Sequence, residues 1–255
     1  MSPVPVSIVV PVRNEAERIT TFVAMHRWAD EIIVVDNGSD DGTRAAATAA
    51  GARVIDCAGG TIADARNAGA DAAAHPWILA LDADEVAEAS LAGEIGEIIG
   101  NAAHDAYRIR RRNFYLGREQ VRGQWGRDRV TRLYRSHLRW SATQVHEVLE
   151  ARTPIGDLTG TISHEPYRDL THHFDKMNRY AMWGAIELHR GGRRASVGDL
   201  LVRPTWRFLK AYLINGSILD GRFGLVTSLL GAQTAFMKYA HLWALDRQRS
   251  KSRQP

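Results

Sequence analysis

Two aspartates stand two residues apart directly after a short apolar run. The run Trp77–Leu81 is followed by Asp82, Ala83 and Asp84. Carboxylates where a strand passes into a loop can face a hard divalent cation, and Mg²⁺ or Mn²⁺ takes one or two of them together with phosphate oxygens of a substrate. Such a cation would neutralise a departing diphosphate. The structural alternative is an acidic cluster that favours the dipole of a following helix.

A second polar cluster follows another apolar run, Ile32–Val35. It reads DNGSDDGT from Asp36 to Thr43. An acidic residue at the end of a strand, here Asp36, can accept hydrogen bonds from a ribose or a base. A capped turn in which glycines supply positive φ angles is the structural alternative.

The elements that would position these residues alternate between apolar runs and helical patterns. Short apolar runs predict four strands: Val6–Val10, Ile32–Val35, Arg53–Ile55 and Trp77–Leu81. With the helices between them, they predict an α/β fold with an open, mostly parallel sheet and helices on both faces. Because ligands of such sheets bind at the carboxyl ends of the strands, Asp36, Asp82 and Asp84 should share one edge.

The remainder of the chain changes character after residue 106. Further strands are predicted at Tyr107–Arg112, Val130–Tyr134 and Val145–Leu149. Helical patterns follow over Asp169–His189 and over residues 200–245. We therefore divide the chain into residues 1–168, a helical extension over residues 169–246, and a basic tail over residues 247–255.

Composition limits the class of protein. The chain has 255 residues, of which 45% are hydrophobic and 24% charged, and a net charge of +4, which is typical of a soluble globular protein. The single cysteine, Cys57, excludes an internal disulfide and a cysteine-based zinc cluster, so the chain suits a reducing compartment. The sequence shows neither a signal peptide nor the ~20 consecutive apolar residues that a membrane helix needs.

Several common motifs of α/β proteins are absent. The turn after the first strand, Pro11–Glu15, lacks the GxGxxG pattern, and the chain has no GxxxxGK(S/T) loop, GxSxG elbow or HExxH pair. An NAD enzyme, a P-loop NTPase and an α/β-hydrolase thereby lose their main support.

Three segments, SIVVPVRNE, ADEIIVVDNGSDDGT and ARNAGADAAAHPWILALDADE, together resemble the family 2 glycosyltransferases, which have the GT-A fold. Later segments such as VHEVLE, HEPYRDLTHHFDKMNRYA and KYAHLW are similar to the bacterial lipopolysaccharide-core glucosyltransferase branch. The resemblance covers about residues 5–245. It implies a Rossmann-like GT-A catalytic domain over residues 1–168 that binds a nucleotide sugar and an acceptor.

The resemblance also implies where the donor and the metal bind. It places eight residues at the nucleotide site: Pro11, Arg13, Asn14, Glu15, Asp36, Arg66, Asn67 and Asp82. Asp84 and His164 are the implied ligands of a divalent metal, Mg²⁺ or Mn²⁺, whereas Asp82 would contact the ribose or a metal-bound water. A histidine satisfied by other contacts is the alternative for His164.

An inverting transfer also needs a carboxylate that takes the proton of the acceptor hydroxyl. By resemblance, Glu147 is this base and Asp128 the second candidate, and Gly123–Gly126 forms the glycine-rich loop before them. The alternative for Glu147 is a salt bridge to a nearby arginine.

Arginines are concentrated in one stretch: Arg108, Arg110, Arg111, Arg112, Arg118, Arg122, Arg127, Arg129, Arg132, Arg135 and Arg139. A diphosphate donor with a phosphorylated acceptor would explain them, and solvated charge is the alternative. No nucleic-acid motif accompanies them, so we expect no nucleic-acid partner.

The apolar and basic residues between 204 and 245 suit an anionic membrane surface. A core helix or a homodimer contact is the alternative.

Together these features predict a metal-dependent inverting glycosyltransferase. It would move a hexose, with glucose favoured, from an NDP-sugar, with UDP favoured, to a hydroxyl of a phosphorylated cell-envelope glycolipid or oligosaccharide. We expect it in the cytoplasm, with a peripheral position on the inner membrane as a further expectation. A peptide or secondary-metabolite acceptor and a non-catalytic envelope-binding protein are the alternatives. A nucleotidyltransferase is disfavoured because residues 10–30 contain no lysine.

Overall fold

The computed structural model describes residues 3–122, 128–142 and 147–251. Its strands are β1 (Val4–Val12), β2 (Ala29–Asp36), β3 (Arg53–Asp56), β4 (Trp77–Ala80), β5 (Glu85–Ala87), β6 (Ala106–Tyr115), β7 (Arg118–Glu119), β8 (Arg129–Arg135), β9 (Trp140–Ala142), β10 (Glu147–Leu149) and β11 (Gly156–His164). Its α-helices are α1 (Ala16–Met25), α2 (Thr43–Ala50), α3 (Ile62–Ala72), α4 (Ala89–Gly100), α5 (Leu170–Arg190), α6 (Val197–Leu209) and α7 (Arg222–Lys251).

The described residues form two compact units. Unit 1 comprises those within Met1–Arg112 and Asp128–Glu165, and unit 2 those within Asn113–Arg127 and Pro166–Pro255. The units thus divide between Glu165 and Pro166, and a short segment before residue 123 joins the helical unit. The predicted roles of residues 1–168, 169–246 and 247–255 stay predictions.

The sheet of unit 1 confirms the predicted α/β fold. Its strand order is β3-β2-β1-β4-β8-β6-β11-β5. The first four strands are parallel. Antiparallel pairs extend them, among them β4 with β8 and β5 with β11. The alternation in the first hundred residues predicts the parallel part, whereas the antiparallel part depends on pairings between distant segments.

Each face of this sheet carries helices because neighbouring residues of a buried strand point to opposite faces. On β1, Ile8 packs into a cluster with Ile19 of α1 and Leu91 of α4. Val9 belongs to the opposite cluster, which contains Ala65 of α3. The predicted helices on both faces are therefore confirmed.

Unit 2 is helical apart from β7 and the end of β6 with which it pairs. Helices α5 and α6 pack against α7. A π-helical turn over Lys210–Ile214 and a 3₁₀ turn over Ser217–Asp220 connect α6 to α7. No helix of the described chain is long and apolar enough to cross a membrane.

Candidate active site

The loops after β1 and β2 are joined by hydrogen bonds. The parallel register pairs Val12 with Asp36, so both strands end together. Asn14 adopts a left-handed φ of 59°, which asparagine tolerates better than most residues. Its backbone N–H donates to Ser39 Oγ at 3.0 Å, and its side-chain oxygen accepts from the Asp40 N–H at 3.0 Å. The segment Pro11–Glu15 and the cluster after β2 therefore form one continuous edge, as the strand ends predict.

Asp36 is buried at this edge. Its carboxylate accepts the N–H of Ser39 and, at 3.2 Å, a hydrogen bond from the Arg44 guanidinium. Arg44 also donates to Asp56 at 3.2 Å. The capped-turn alternative is thus present in the structure, and a role in nucleoside binding stays a prediction.

Asp82 follows β4 and lies between two buried arginines. Arg66 of α3 donates to its Oδ1 at 2.9 Å, and Arg132 of β8 donates to its Oδ2 at 2.6 Å. Burial by itself would raise the pKa of Asp82, but the positive charges of Arg132 and Arg66 outweigh it and hold the pKa well below its usual range. Asp82 is therefore a carboxylate at physiological pH, with its orientation fixed.

Glu85 belongs to the same network and was not singled out from the sequence. Its buried carboxylate accepts hydrogen bonds from Arg132 at 2.8 Å, Arg111 at 3.0 Å and the backbone N–H of Asp82 at 3.0 Å. The available signal was an acidic residue placed directly after Asp84 at the start of a short buried strand. Glu85 orients two arginines of the site.

Asp84 lies next to His164. The antiparallel register of β5 and β11 pairs Glu85 with His164. His164 Nε2 consequently lies 3.6 Å from Asp84 Oδ1. The element after Asp84 is a strand and α4 begins only at Ala89, so the structural alternative, an acidic cluster at a helix N-terminus, is wrong.

The pair of Asp84 and His164 fits a divalent cation that also binds substrate. A carboxylate oxygen and an imidazole nitrogen are two donors of the kind Mn²⁺ accepts, and Mg²⁺ and Mn²⁺ commonly take their remaining ligands from water and phosphate. The described residues contain no group of three or more His, Cys, Asp or Glu side chains placed to hold a metal ion. An ion held by Asp84 and His164 would leave coordination positions for water and for phosphate oxygens of a substrate.

The two candidate bases have different surroundings. Asp128 Oδ2 accepts from Arg111 Nε at 2.8 Å and lies 2.6 Å from its NH2 group. Glu147, at the start of β10, meets Arg66 NH1 at 3.5 Å. The salt-bridge alternative for Glu147 is present, but this contact is longer than those of Asp128.

Glu147 and Asp82 line one cavity of about 420 Å³ in unit 1. Three arginines also line it: Arg66, Arg111 and Arg132. The Nε atoms of Arg66 and Arg132 are buried without a hydrogen-bond partner among the described residues. The cavity thus combines a carboxylate capable of taking a proton with cations capable of binding an anion.

Asn67 has a structural partner. Its side chain donates to the Trp140 carbonyl at 2.8 Å and accepts from the Trp140 N–H at 2.9 Å. The Trp140 ring in turn lies under the Arg66 guanidinium, 4.6 Å from the ring centroid. The Arg-Asn pair of α3 therefore fixes β9 and one wall of the cavity, and contact with the nucleotide stays a prediction for both residues.

Most arginines of the basic stretch form ion pairs or ring contacts. Arg111 and Arg132 belong to the cavity, whereas Arg127 and the loop Gly123–Gly126 lie outside the described residues. Partners outside the cavity are Asp157 for Arg108 and Arg129, Glu88 for Arg112, Asp220 for Arg118 and Arg122, Asp71 for Arg139, and the Trp77 ring for Arg135. Most arginines of the stretch are thus paired outside the cavity, and two others, Arg111 and Arg132, line it.

Comparison with known proteins gives consistent matches. The family model of glycosyl transferase family 2 matches residues 7–148, a range that holds Arg66, Asp82, Arg111, Arg132 and Glu147 of the cavity. An uncharacterized glycosyltransferase of Rickettsia prowazekii (strain Madrid E) is 28% identical over 251 residues, 93% of this chain and 86% of that protein. The lipopolysaccharide core biosynthesis glycosyltransferase LpsC of Rhizobium meliloti (strain 1021) is 27% identical over 258 residues, 94% and 92% of the two chains.

Several solved structures are similar over part of the chain. One of them is glucosyl-3-phosphoglycerate synthase from Mycobacterium tuberculosis in complex with Mn²⁺, uridine-diphosphate-glucose and glycerol 3-phosphate. The match covers 44% of this chain and 45% of that one, with 24% identity and a TM-score of 0.35.

Proposed function

The chain belongs to glycosyl transferase family 2, and we propose that it moves a hexose from an NDP-sugar to a saccharide hydroxyl with inversion at the anomeric carbon. Glucose is the favoured sugar and UDP the favoured nucleotide. The observation that carries this proposal is the cavity of unit 1, which holds Glu147 and Asp82 together with Arg66, Arg111 and Arg132. A displacement at a sugar phosphate needs both a base and cations for the leaving group.

Glu147 is the proposed base. Its carboxylate takes the proton of the acceptor hydroxyl as the oxygen attacks the anomeric carbon and the bond to the diphosphate breaks. Its longer contact with Arg66 leaves its oxygens less engaged than those of Asp128, which two guanidinium nitrogens of Arg111 approach. We assign Asp128 the role of orienting Arg111.

Arginines stabilise the departing diphosphate in this proposal. Arg66, Arg111 and Arg132 are held by Asp82, Glu85 and Asp128, so they are oriented before substrate binds. Cations preorganised in this way stabilise charge that develops in the transition state without having to reorient.

Asp84 and His164 are the proposed metal ligands. When bound, a divalent cation at this pair supplies further neutralisation of the diphosphate. Both oxygens of Asp82 accept hydrogen bonds from arginines. Asp82 would act on the donor by orienting these arginines or by contacting the ribose of the donor nucleotide. The nucleoside would lie along the edge formed by Pro11–Glu15 and Asp36.

A phosphorylated glycolipid or oligosaccharide of the cell envelope is the proposed acceptor. The similarity to a lipopolysaccharide core biosynthesis glycosyltransferase along 94% of this chain supports this class. We also propose a cytoplasmic location, because a nucleotide-sugar donor is available there.

Calorimetric titration of the purified chain with UDP, GDP, ADP and dTDP, each with and without Mn²⁺, tests the donor site. We expect UDP to bind and Mn²⁺ to strengthen its binding. Asp84→Asn should lose the effect of Mn²⁺, whereas the matched variant Asp157→Asn, whose carboxylate pairs with arginines elsewhere in unit 1, should keep it. A folded protein that binds none of the four nucleotides would overturn the proposal.

A further inference from the structure

The outward side of α6 in unit 2 is apolar. Its exposed residues define what we call the α6 face: Val197, Leu201, Val202, Trp206 and Leu209. Their spacing of four, five, nine and twelve residues from Val197 places them along one side of a helix. Val197 is 73% exposed and Trp206 57% exposed. Contiguous exposed apolar patches mark interaction sites, whereas single exposed apolar residues do not.

Contacts within unit 2 fix the direction of this face. Leu200 packs on a small cluster that contains Tyr239 and Leu242 of α7. Ser196 and Asp199 form a capping box at the first turn of α6. The buried Asp199 also accepts from Arg193 and Arg203. Because α6 is held by its other side, the α6 face points away from the core of unit 2.

Cations border the α6 face. A cavity of about 290 Å³ is lined by Arg203, Arg207 and Lys238 together with Val202 and Trp206 of the face. The described residues that line it include no carboxylate. Asp199, the single acidic residue of α6 in the sequence, is buried. The border of the face is therefore positive and would attract an anionic partner.

We propose that the α6 face docks on an anionic lipid bilayer. The helix lies in the plane of the interface with its apolar residues among the upper acyl chains, and the cavity of Arg203, Arg207 and Lys238 takes a lipid phosphate. Thirteen residues of helix reach roughly 20 Å, too short to span the hydrocarbon core. Trp206 lies at the border between face and cavity, where an amphipathic ring suits the headgroup level.

Charge favours a bilayer over a second copy of the chain as the occupant. Two copies meeting through a symmetric contact at this face would bring two sets of the same three cations together. An anionic surface instead complements them and buries the same apolar residues. Membrane docking rests on unit 2 alone. The docking proposal can therefore be wrong while the proposed sugar transfer is right, and the transfer can be wrong while docking is right.

Vesicle flotation with the full chain tests the proposal. The vesicles contain phosphatidylcholine with phosphatidylglycerol, and vesicles of phosphatidylcholine alone serve as the uncharged comparison. We expect binding to the anionic vesicles, at least about tenfold weaker binding to the neutral ones, and weakening by added salt. The double variant Leu201→Ser and Trp206→Ser should reduce binding at least about tenfold because it removes buried apolar area.

The matched control is Trp183→Ser on α5. Trp183 is 56% exposed, nearly the same as Trp206, and lies in the same unit outside the α6 face. This variant should bind anionic vesicles as the unchanged chain does. Lys238→Gln should weaken binding to anionic vesicles and leave the residual binding to neutral ones unaltered. Circular dichroism of each variant reports on folding independently of the membrane.

Three results would overturn the proposal. The first is that the unchanged chain does not float with anionic vesicles. The second is that the double variant and a separate Val197→Ser variant both float with anionic vesicles as the unchanged chain does. That result would show that the α6 face is not the contact. A dimer in sedimentation that the double variant dissociates, without vesicle binding, would assign the face to a second copy of the chain.

Discussion

Carboxylates that look alike in the sequence have different surroundings in unit 1. Asp82 is clamped between Arg66 and Arg132, Asp84 lies beside His164, and Glu147 has a longer contact with Arg66. The clamp keeps Asp82 ionised and fixed, which suits an orienting role. The looser contact of Glu147 suits a group that must accept a proton.

Replacement of the proposed base separates binding from chemistry. We expect Glu147→Gln to bind UDP normally and to lose about 10²- to 10⁴-fold in transfer rate, because an amide cannot take the hydroxyl proton. Asp128→Asn is the control and should lose less, since it disturbs the orientation of Arg111 only. Titration calorimetry and a donor-turnover assay check this. Full loss of transfer in Asp128→Asn, with Glu147→Gln active, would reverse the assignment.

His26 makes the stability of unit 1 depend on pH. Its buried ring accepts the Ala87 N–H at Nε2 and meets the Phe22 carbonyl at Nδ1, so the neutral ring with a proton on Nδ1 satisfies both. Burial lowers the pKa of His26 from 6.5 to about 4. Because the unfolded chain binds the proton first, this contribution is complete above about pH 6.5 and is lost as the pH falls toward 4.

The loss should amount to on the order of 3 kcal/mol of unfolding free energy. Urea unfolding followed by circular dichroism at a series of pH values measures it. His26→Leu should flatten this part of the pH dependence while lowering stability at neutral pH. An unchanged slope in that variant would show that other groups are responsible.

Element packing decides where Arg66 lies. Helix α3 approaches β1 closely at Gly69, where an added Cβ would lie 2.2 Å from Val9 Cγ1 and 3.1 Å from Val35 Cγ2. Arg66 is three residues earlier on the same helix. The absence of a side chain at Gly69 thus lets α3 pack close to β1, and this packing places Arg66 within hydrogen-bond distance of Asp82.

Gly69→Ala should therefore destabilise the protein by about 1–3 kcal/mol through overpacking. Gly93→Ala is the matched control, because Gly93 lies in α4 and a Cβ there meets nothing within 4 Å. That substitution should be neutral or stabilise by up to about 1 kcal/mol, since alanine favours a helix. Chemical unfolding of the two variants measures both effects, and equal changes would contradict the packing argument.

At the scale of the whole molecule, each unit has a hydrophobic cluster of its own. Unit 1 has one on each face of its sheet, and unit 2 has a cluster around Ala185, Tyr239 and Leu242. The net charge of +4 is small because 33 lysines and arginines are nearly balanced by 29 aspartates and glutamates, and most arginines of the basic stretch pair with carboxylates. Basic side chains lie together in two places that we assign to ligands, the cavity of unit 1 and the border of the α6 face.

Ligand binding should raise the stability of the folded chain. With Mn²⁺ and UDP at about a hundred times its dissociation constant, we expect about 2.7 kcal/mol of stabilisation. A thermal melt with UDP and Mn²⁺, compared with UDP and a chelator, measures the metal-dependent part. Asp84→Asn should melt alike in both conditions. A chelator with no effect on the unchanged chain would contradict metal-assisted donor binding.

The sequence by itself determined the α/β class and the residues at the strand ends. Buried strands need apolar runs and strand ends need polar turns, so Asp36, Asp82 and Asp84 could be placed at one edge from local pattern alone. The family resemblance added Arg66, Glu147 and His164, whose roles stay proposals. The sequence predicted helix over residues 200–245, which includes most of α6. It also indicated apolar and basic residues between 204 and 245 that suit an anionic membrane surface, with a core helix or a homodimer contact as the alternative.

Only the tertiary structure decided which of these residues meet. The pairing of β5 with β11 brings His164 to Asp84, although about eighty positions of chain separate them. Glu85 joins Arg111 and Arg132 only because β5, β6 and β8 belong to one sheet. The pattern within a segment indicates which of its residues are buried, but the choice of partner strand arises from contacts between distant segments, and the pattern within one segment does not identify that partner.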